Sequence, residues 1–355
     1  MTRLVTCGYE TGDVNEAGTS TIGAGMAITV SSSSPTPRAG SYCLKIGPTA
    51  GSWADTYKTL ALPAAKTEVW IRFAIYFHGI PTTAAPIFAT LNDATASAQV
   101  NLSYNASDGL LRAYRGSGTS VLLATASTAF PQDSWHVIDW REQILTASTG
   151  ALEVWLDGNR VINFSGDVAS TTTLNVQTLM LGTTVTIGGT VTGAYIAYDD
   201  IAINDVAGTI NNGRPGDGRV LLLTPSGAGS STQLARGGTD TGANYSQVNE
   251  LPPSITQYVG SATVAQRDLY AMSDIGIAVQ SINVVEAVAL AQNSDAGGGS
   301  IGLTIKSGAT ISEGTAIGLS TSPGYVRSQW ETDPNTTAAW TIAAVNAVET
   351  GATIR

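Results

Sequence analysis

Val69, Ile71, Phe73, Ile75 and Phe77 alternate with Trp70, Arg72, Ala74, Tyr76 and His78. Strict alternation of this length predicts a strand with one face in a core and the other outside it. The period of two recurs, predicting further strands at 4–9, 41–47, 86–92, 98–104, 110–115, 120–125, 134–141, 177–182 and 194–204. Residues 152–164 predict a hairpin: Leu152, Val154 and Leu156 alternate with Glu153, Trp155 and Asp157, Asp157-Gly158-Asn159 tolerates positive φ, and Arg160 to Phe164 returns. Turn formers separate the strands at Ser31–Pro37, Asp108-Gly109, Arg115-Gly116-Ser117-Gly118 and Gly188-Gly189. Helical periodicity is nearly absent. The pattern predicts an all-β sandwich.

Near residue 205 the pattern changes. Asn204 to Gly218 has little periodicity and many turn formers, so a linker is expected at about 205–219, between a domain at 1–210 and a smaller β domain at 211–355. Val220 to Leu223 restarts an apolar run, and 226–242 again reads as loop. A short helix is predicted near 263–272, with strand signals at 275–291, 300–306, 315–320, 325–330 and 348–355 around a flexible tip at Asn293–Ser300.

Composition narrows the partners. Lys and Arg number 17 against 27 Asp and Glu, a net charge of −10, and only 12 % of residues are charged. Phosphate neutralisation needs clustered basic residues; Arg112 with Arg115 is the nearest approach, so a nucleic-acid binder is not expected. No run approaches the ~18 apolar residues of a spanning helix, and the N-terminus has no apolar h-region. A thinly charged, Thr-rich surface fits a β protein covered in part by neighbouring subunits. Cys7 and Cys43 are too few for a zinc site and fit two buried thiols better than a disulfide.

The hairpin sequence Leu-Glu-Val-Trp-Leu-Asp-Gly-Asn-Arg-Val at 152–161 resembles the central hairpin of laminin-G-like jelly rolls in the concanavalin A-like superfamily. Tyr9-Glu10-Thr11-Gly12, Gly40-Ser41-Tyr42-Cys43-Leu44-Lys45-Ile46, Ser134-Trp135-His136-Val137-Ile138 and Tyr198-Asp199-Asp200-Ile201-Ala202-Ile203-Asn204 follow the order of that fold over about residues 1–205. The second part is similar to C-terminal regions of tailed-bacteriophage structural proteins. The matching residues are Arg214-Pro215-Gly216-Asp217-Gly218, Asn244 to Glu250, Asp268-Leu269-Tyr270 and Asp333-Pro334-Asn335-Thr336-Thr337-Ala338-Ala339-Trp340-Thr341, with Thr337 where that family often has glycine. The resemblance implies a virion component, assembled in the host cytoplasm, that contacts itself as a homo-oligomer and other particle proteins. A glycan-binding adhesin for host surface polysaccharide is the alternative.

Catalytic residues are not expected. Glycoside hydrolysis needs two carboxyls ~5.5 Å or ~6.5–9.5 Å apart. Glu153 and Asp157 share a face at about 13 Å, with Trp155 between them, and the adjacent Asp199 and Asp200 should point to opposite faces. His78 and His136 lie in strands with no Ser or Cys in a recognisable elbow and read as ordinary sheet histidines. Asn92, Asp93, Asp157 and Asp205 could contribute to a calcium loop, but turn formation accounts for them better. No cofactor or metal is implied, and the chain is expected not to be an enzyme. For sugar contact, Trp70, Trp140 and Trp155 are the candidates, on faces opposite the core positions, although packing in a core or interface accounts for each of them better.

Overall fold

The computed structural model describes residues 2–49, 52–146, 149–184, 193–239 and 241–355. The expected turn at Gly188-Gly189 lies outside these residues. The chain is all-β and divides into two compact units, Thr2–Leu221 and Leu222–Arg355. Among the described residues no helix is long and apolar enough to cross a membrane.

The first unit is a jelly-roll sandwich. Its strands are β1 (Arg3–Cys7), β2 (Thr19–Thr21), β3 (Met26–Ser31), β4 (Cys43–Pro48), β5 (Thr56–Lys66), β6 (Glu68–His78), β7 (Ile87–Asn92), β8 (Ala98–Asn105), β9 (Leu110–Arg115), β10 (Val121–Thr125), β11 (Trp135–Gln143), β12 (Gly150–Leu156), β13 (Asn159–Gly166), β14 (Val176–Thr183) and β15 (Tyr195–Asn204). One sheet runs β13-β12-β11-β6-β15-β4-β3, with β1 also against β15; the other runs β10-β9-β8-β7-β14-β5-β2. The alternation on β6 buries Val69, Ile71, Phe73, Ile75 and Phe77 almost completely. They pack with Ile138, Leu152 and Val154 of their own sheet against Phe88, Leu91, Val100, Leu102 and Leu181 of the other. Each such side chain contributes about 1.5–3 kcal/mol on leaving water, so this interface fixes the register of both sheets.

At the tip of the β12–β13 hairpin, Asp157 (φ 50°) and Gly158 (φ 85°) take the two left-handed positions of a tight turn whose twist matches its strands. Strand β5 was hidden in the sequence because Lys58 occupies an inward slot in line with Leu60 and Leu62. Its stem is buried while Nζ reaches the Gly18 carbonyl at 3.2 Å and the Ser20 hydroxyl at 3.0 Å.

The expected linker at 205–219 is bound to the first unit. The Gly216 N–H donates to the Asp139 carboxylate at 3.1 Å, and the Val220 N–H to Asp200 at 2.7 Å. The Gly218 carbonyl accepts from Arg38 and Arg72, and Arg38 pairs with Asp217. These residues form a strap across the outward face of the β6 sheet.

In the second unit the strands Pro225–Thr232, Arg267–Met272, Glu349–Ile354, Ser300–Ser307 and Thr310–Glu313 lie in that order in one sheet, and Val285–Ala291 pairs with Gly324–Trp330. Leu303, Ile305, Val326, Trp330, Trp340 and Val345 fill its core. The helix expected near 263–272 is instead the strand Arg267–Met272, held on both sides by backbone pairing. The loop expected at 226–242 contains the strand Pro225–Thr232, whose small residues carry no apolar period to read. The short α-helix Ile342–Asn346 is capped by the Thr341 hydroxyl, which accepts from the Ala344 N–H at 3.1 Å.

Two aspartates of the segments around 268 and 333 organise this unit. Asp268 is fully buried and accepts from the Gln233 and Leu234 N–H groups, the Asn244 amide and the Tyr270 hydroxyl. Asp333 accepts from the Asn335 N–H and the Thr336 hydroxyl, closing the turn before Trp340. Thr337 has φ 59°, the left-handed conformation that glycine adopts freely and other residues rarely.

Candidate functional site

Trp70 and Trp155 meet on the outward face of the β6 sheet. β11 lies between their strands, and its register pairs Arg141 with both Trp70 and Glu153, and Asp139 with both Arg72 and Trp155. The two indoles therefore sit on a diagonal, with ring centres 5.4 Å apart and planes inclined by 33°. Both are half-buried.

Arginines frame this ledge. The Arg141 guanidinium lies 5.7 Å from the Trp70 ring and donates to Glu68 at 2.8 Å and Glu153 at 2.6 Å. Arg160, on β13, reaches Glu153 at 2.9 Å and stands 6.0 Å from the Trp155 ring. Arg214, from the strap, lies 5.2 Å over the same ring, its nearest ion-pair oxygen being Asp139 at 3.9 Å. Burial alone would raise the Glu153 pKa, but hydrogen bonds from Arg141 and Arg160 outweigh it and hold the carboxyl below its ordinary value. Guanidinium groups stacked near indole faces keep free N–H donors at their edges. The ledge thus offers apolar ring surface beside fixed hydrogen-bonding groups.

Trp140 does not belong to it. On β11 the inward positions are Ile138, Trp140 and Glu142, and Trp140 is fully buried with its Nε1–H donating to Glu142 at 2.8 Å. The outward placement expected for Trp140 is corrected: Asp139 and Arg141 occupy the outer face, and alternation sends Trp140 into the core. Burial raises the Glu142 pKa well above its ordinary value.

The aspartates at 199 and 200 also depart from expectation. Asp200 has φ 54°, and the β6–β15 register shifts there, so alternation fails and both carboxylates turn toward residues 38–39. Asp199 accepts from the Arg38 N–H at 2.9 Å, and Asp200 from the Arg38 guanidinium at 2.6 Å. Burial, then the neighbouring Asp200 charge, raises the Asp199 pKa. Burial likewise lifts Glu10 nearby to about 7. All three carboxyls are buried beneath the surface. The acids considered for calcium are engaged as well. Asp93 accepts from Thr95, Ser97, Gln99 and Thr171, which outweighs its burial and lowers it to about 2. Asp205 pairs with Lys66, and Asp157 accepts from the Val137 N–H. Among the described residues no group of three or more His, Cys, Asp or Glu could hold a metal ion. Cys7 and Cys43 are buried thiols, the Cys7 Sγ donating to Glu16 at 3.4 Å, and burial pushes the Cys43 thiol up to about 12.

Sequence reasoning missed the arginine frame, because Arg141, Arg160 and Arg214 come from two strands and the strap. It also missed the surroundings of His136, which lies between Ser134 and Asp157, 21 residues away in sequence. His78 meets Asp133 on the outward face.

No family model matches the chain, and no curated protein matches it. Solved structures of similar fold include an endo-β-1,4-glucuronan lyase from the fungus Trichoderma reesei, 13 % identical over 57 % of this chain and 95 % of that one, with a TM-score of 0.42. The cellulose-induced protein Cip1 is 13 % identical over 60 % of this chain and 100 % of its own, with a TM-score of 0.43. The carbohydrate-binding module CBM66 from Bacillus subtilis is 11 % identical over 51 % and 96 %, with a TM-score of 0.33. The expectation that the chain is not an enzyme is corrected by this finding: an enzyme stands among the structures it is similar to, so the fold gives no ground for excluding activity.

Proposed function

We propose that the chain binds a glycan on the ledge formed by Trp70 and Trp155, as an adhesin for surface polysaccharide. The observation that carries this reading is the pairing of the two half-buried indoles at 5.4 Å on an outward sheet face, framed by Arg141, Arg160 and Arg214. A sugar presents an apolar C–H face and a rim of hydroxyls, and the ledge matches both: indole surface for the face, guanidinium and carboxylate groups for the rim. The test is fluorescence titration of the full chain with a panel of oligosaccharides. A ligand found in this way should lose affinity roughly tenfold or more with Trp155→Ala, while the melting temperature stays near wild type. Binding unchanged in both Trp155→Ala and Trp70→Ala rejects the reading.

A second reading, a structural component of a phage particle working by self-association, is favoured by large apolar side chains left outside the core of the second unit. Ile255 and Val264 are 62 % and 64 % exposed, and burial of such groups drives association. Its phage-like segments agree with this reading. Sizing the purified chain and labelling intact particles tests it; a monomer absent from particles counts against it.

A further inference from the structure

We propose that Ser134, His136 and Asp157 form a nucleophilic relay that hydrolyses neutral carboxylic esters, because the fold sets the Ser134 Oγ 2.8 Å from His136 Nε2 and the Asp157 Oδ2 2.7 Å from His136 Nδ1. Two features of the chain build the arrangement. Ser134 immediately precedes β11 and His136 is that strand's second residue, so the hydroxyl and the imidazole meet at the strand's entry. Asp157 opens the turn of the β12–β13 hairpin, where its N–H donates to the Val137 carbonyl at 2.9 Å and its Oδ1 accepts from the Val137 N–H at 2.8 Å. One carboxylate oxygen is thereby anchored to β11, leaving the other to meet the imidazole.

The contacts define the tautomer. A carboxylate only accepts, so Nδ1 carries the proton and donates to Asp157; Nε2 then accepts from the Ser134 hydroxyl. The Phe130 ring packs edge-on against the imidazole at 4.8 Å between centres and limits its rotation. Asp133, immediately before Ser134, has φ 66°, a conformation non-glycine residues adopt rarely and one that recurs at functional sites. The His136 side chain remains 12 % exposed and Ser134 is half-buried, so a substrate carbonyl can reach the hydroxyl.

Phe130 and Asp133 also line a broad depression of about 830 Å³, with Ile80, Pro81, Tyr104 and Asp108. Its lining mixes apolar residues with the polar Thr82, Ser107 and Gln132, and its charged groups are the acids Asp108 and Asp133. That balance favours an uncharged alcohol portion and disfavours an anionic one. In the reaction the Ser134 Oγ bonds to the ester carbonyl carbon as its proton passes to Nε2. The carbon–oxygen bond to the alcohol breaks, and the Nε2 proton goes to the departing oxygen. Water then adds to the acyl carbon, gives a proton to Nε2, and releases the acid as Oγ recovers its hydrogen. Water is the only co-reactant. Ser134 and His136 are the catalytic residues, and Asp157 is a positioning residue.

The relay stands independently of the glycan reading, since it involves neither Trp70 nor Trp155. The experiment uses the full chain with p-nitrophenyl acetate as substrate and a fluorophosphonate as covalent probe. Wild type should turn over the ester and take up one phosphonyl group at Ser134, located by peptide mass spectrometry. Ser134→Ala should lose both, with an unchanged circular dichroism spectrum and melting temperature. Asp157→Asn keeps the anchoring oxygen yet favours the wrong tautomer, so it should lower kcat on the order of a hundredfold or more while KM holds; a merely structural role would not split kcat from KM in this way. Absence of a fluorophosphonate adduct, an adduct elsewhere, or hydrolysis undiminished in Ser134→Ala overturns the proposal.

Discussion

Glu10 illustrates what burial does to a single side chain in this sandwich. Its Oε2 accepts from the Ser41 N–H at 2.7 Å, but loss of water and the nearby charges of Glu16 and Asp200 carry its pKa from 4.5 to about 7. Asp199 shifts in the same direction for the same leading cause. A carboxyl whose folded pKa lies above its unfolded value holds a proton that the unfolded chain has released. The stability it contributes is complete below the unfolded pKa and disappears as pH rises through the folded one. The first unit should therefore melt lower at pH 8 than at pH 5, by about 1–2 kcal/mol or roughly 2–8 °C. Acids held low behave oppositely, but Asp93, at about 2, loses its contribution only below pH 4 and leaves this window untouched. Glu10→Gln keeps an acceptor for Ser41 and removes the Glu10 titration, so a calorimetric Tm series from pH 5 to 8 should become shallower in the variant, the Asp199 share remaining. A slope equal to wild type would show that Glu10 is ionised in the folded state.

At the scale of elements, what decides each turn and strand is whether a backbone conformation is also sterically enclosed. Gly158 and Gly182 both have positive φ, 85° and 125°. A Cβ on Gly158 would meet nothing within 4 Å, so Gly158→Ala should cost only backbone strain, about 1 kcal/mol. On Gly182, in β14, the Cβ would lie 2.3 Å from the Thr56 carbonyl oxygen and 2.7 Å from the Tyr57 Cα. Gly182→Ala must push β5 away and should cost more than about 3 kcal/mol. Urea denaturation of the two variants should separate them by at least 2 kcal/mol; equal losses would mean that the β5–β14 pairing yields freely. The same distinction marks what could be read in advance. Strands such as β6, β8 and β12 carry a clean period of two because one face meets a core. β5 hides its period behind Lys58, and Arg267–Met272 has too few apolar residues to distinguish strand from helix without its pairing partners. Periodicity reports burial, so strands held mainly by backbone bonds leave little trace in it.

For the molecule as a whole, the boundary between the units depends on which buried charges the connecting segment neutralises. In sequence, 205–219 has the turn-rich look of a linker, and nothing in it indicates that Arg38, Arg72, Asp139 and Asp200 lie beneath it, because those residues are scattered between positions 38 and 200. For the same reason only the tryptophans of the candidate ledge were legible: an indole on an outward face follows from alternation, whereas the arginines around it meet only in the folded sheet. The strap supplies the Gly216 N–H to Asp139, the Asp217 carboxylate to Arg38, the Gly218 carbonyl to Arg72 and the Val220 N–H to Asp200. Removing the partners of buried charged groups leaves them desolvated and unpaired, typically at about 3–5 kcal/mol for a buried pair. A fragment ending at Leu221 retains all four interactions, and one ending at Ile210 retains none. The longer fragment should melt cooperatively and keep its near-ultraviolet circular dichroism. The shorter should melt at least 10 °C lower or fail to fold, since a loss of that size is a large fraction of a domain's net stability. If both fragments melted alike, the strap would be a passive covering, and the ion network beneath it would satisfy itself with water.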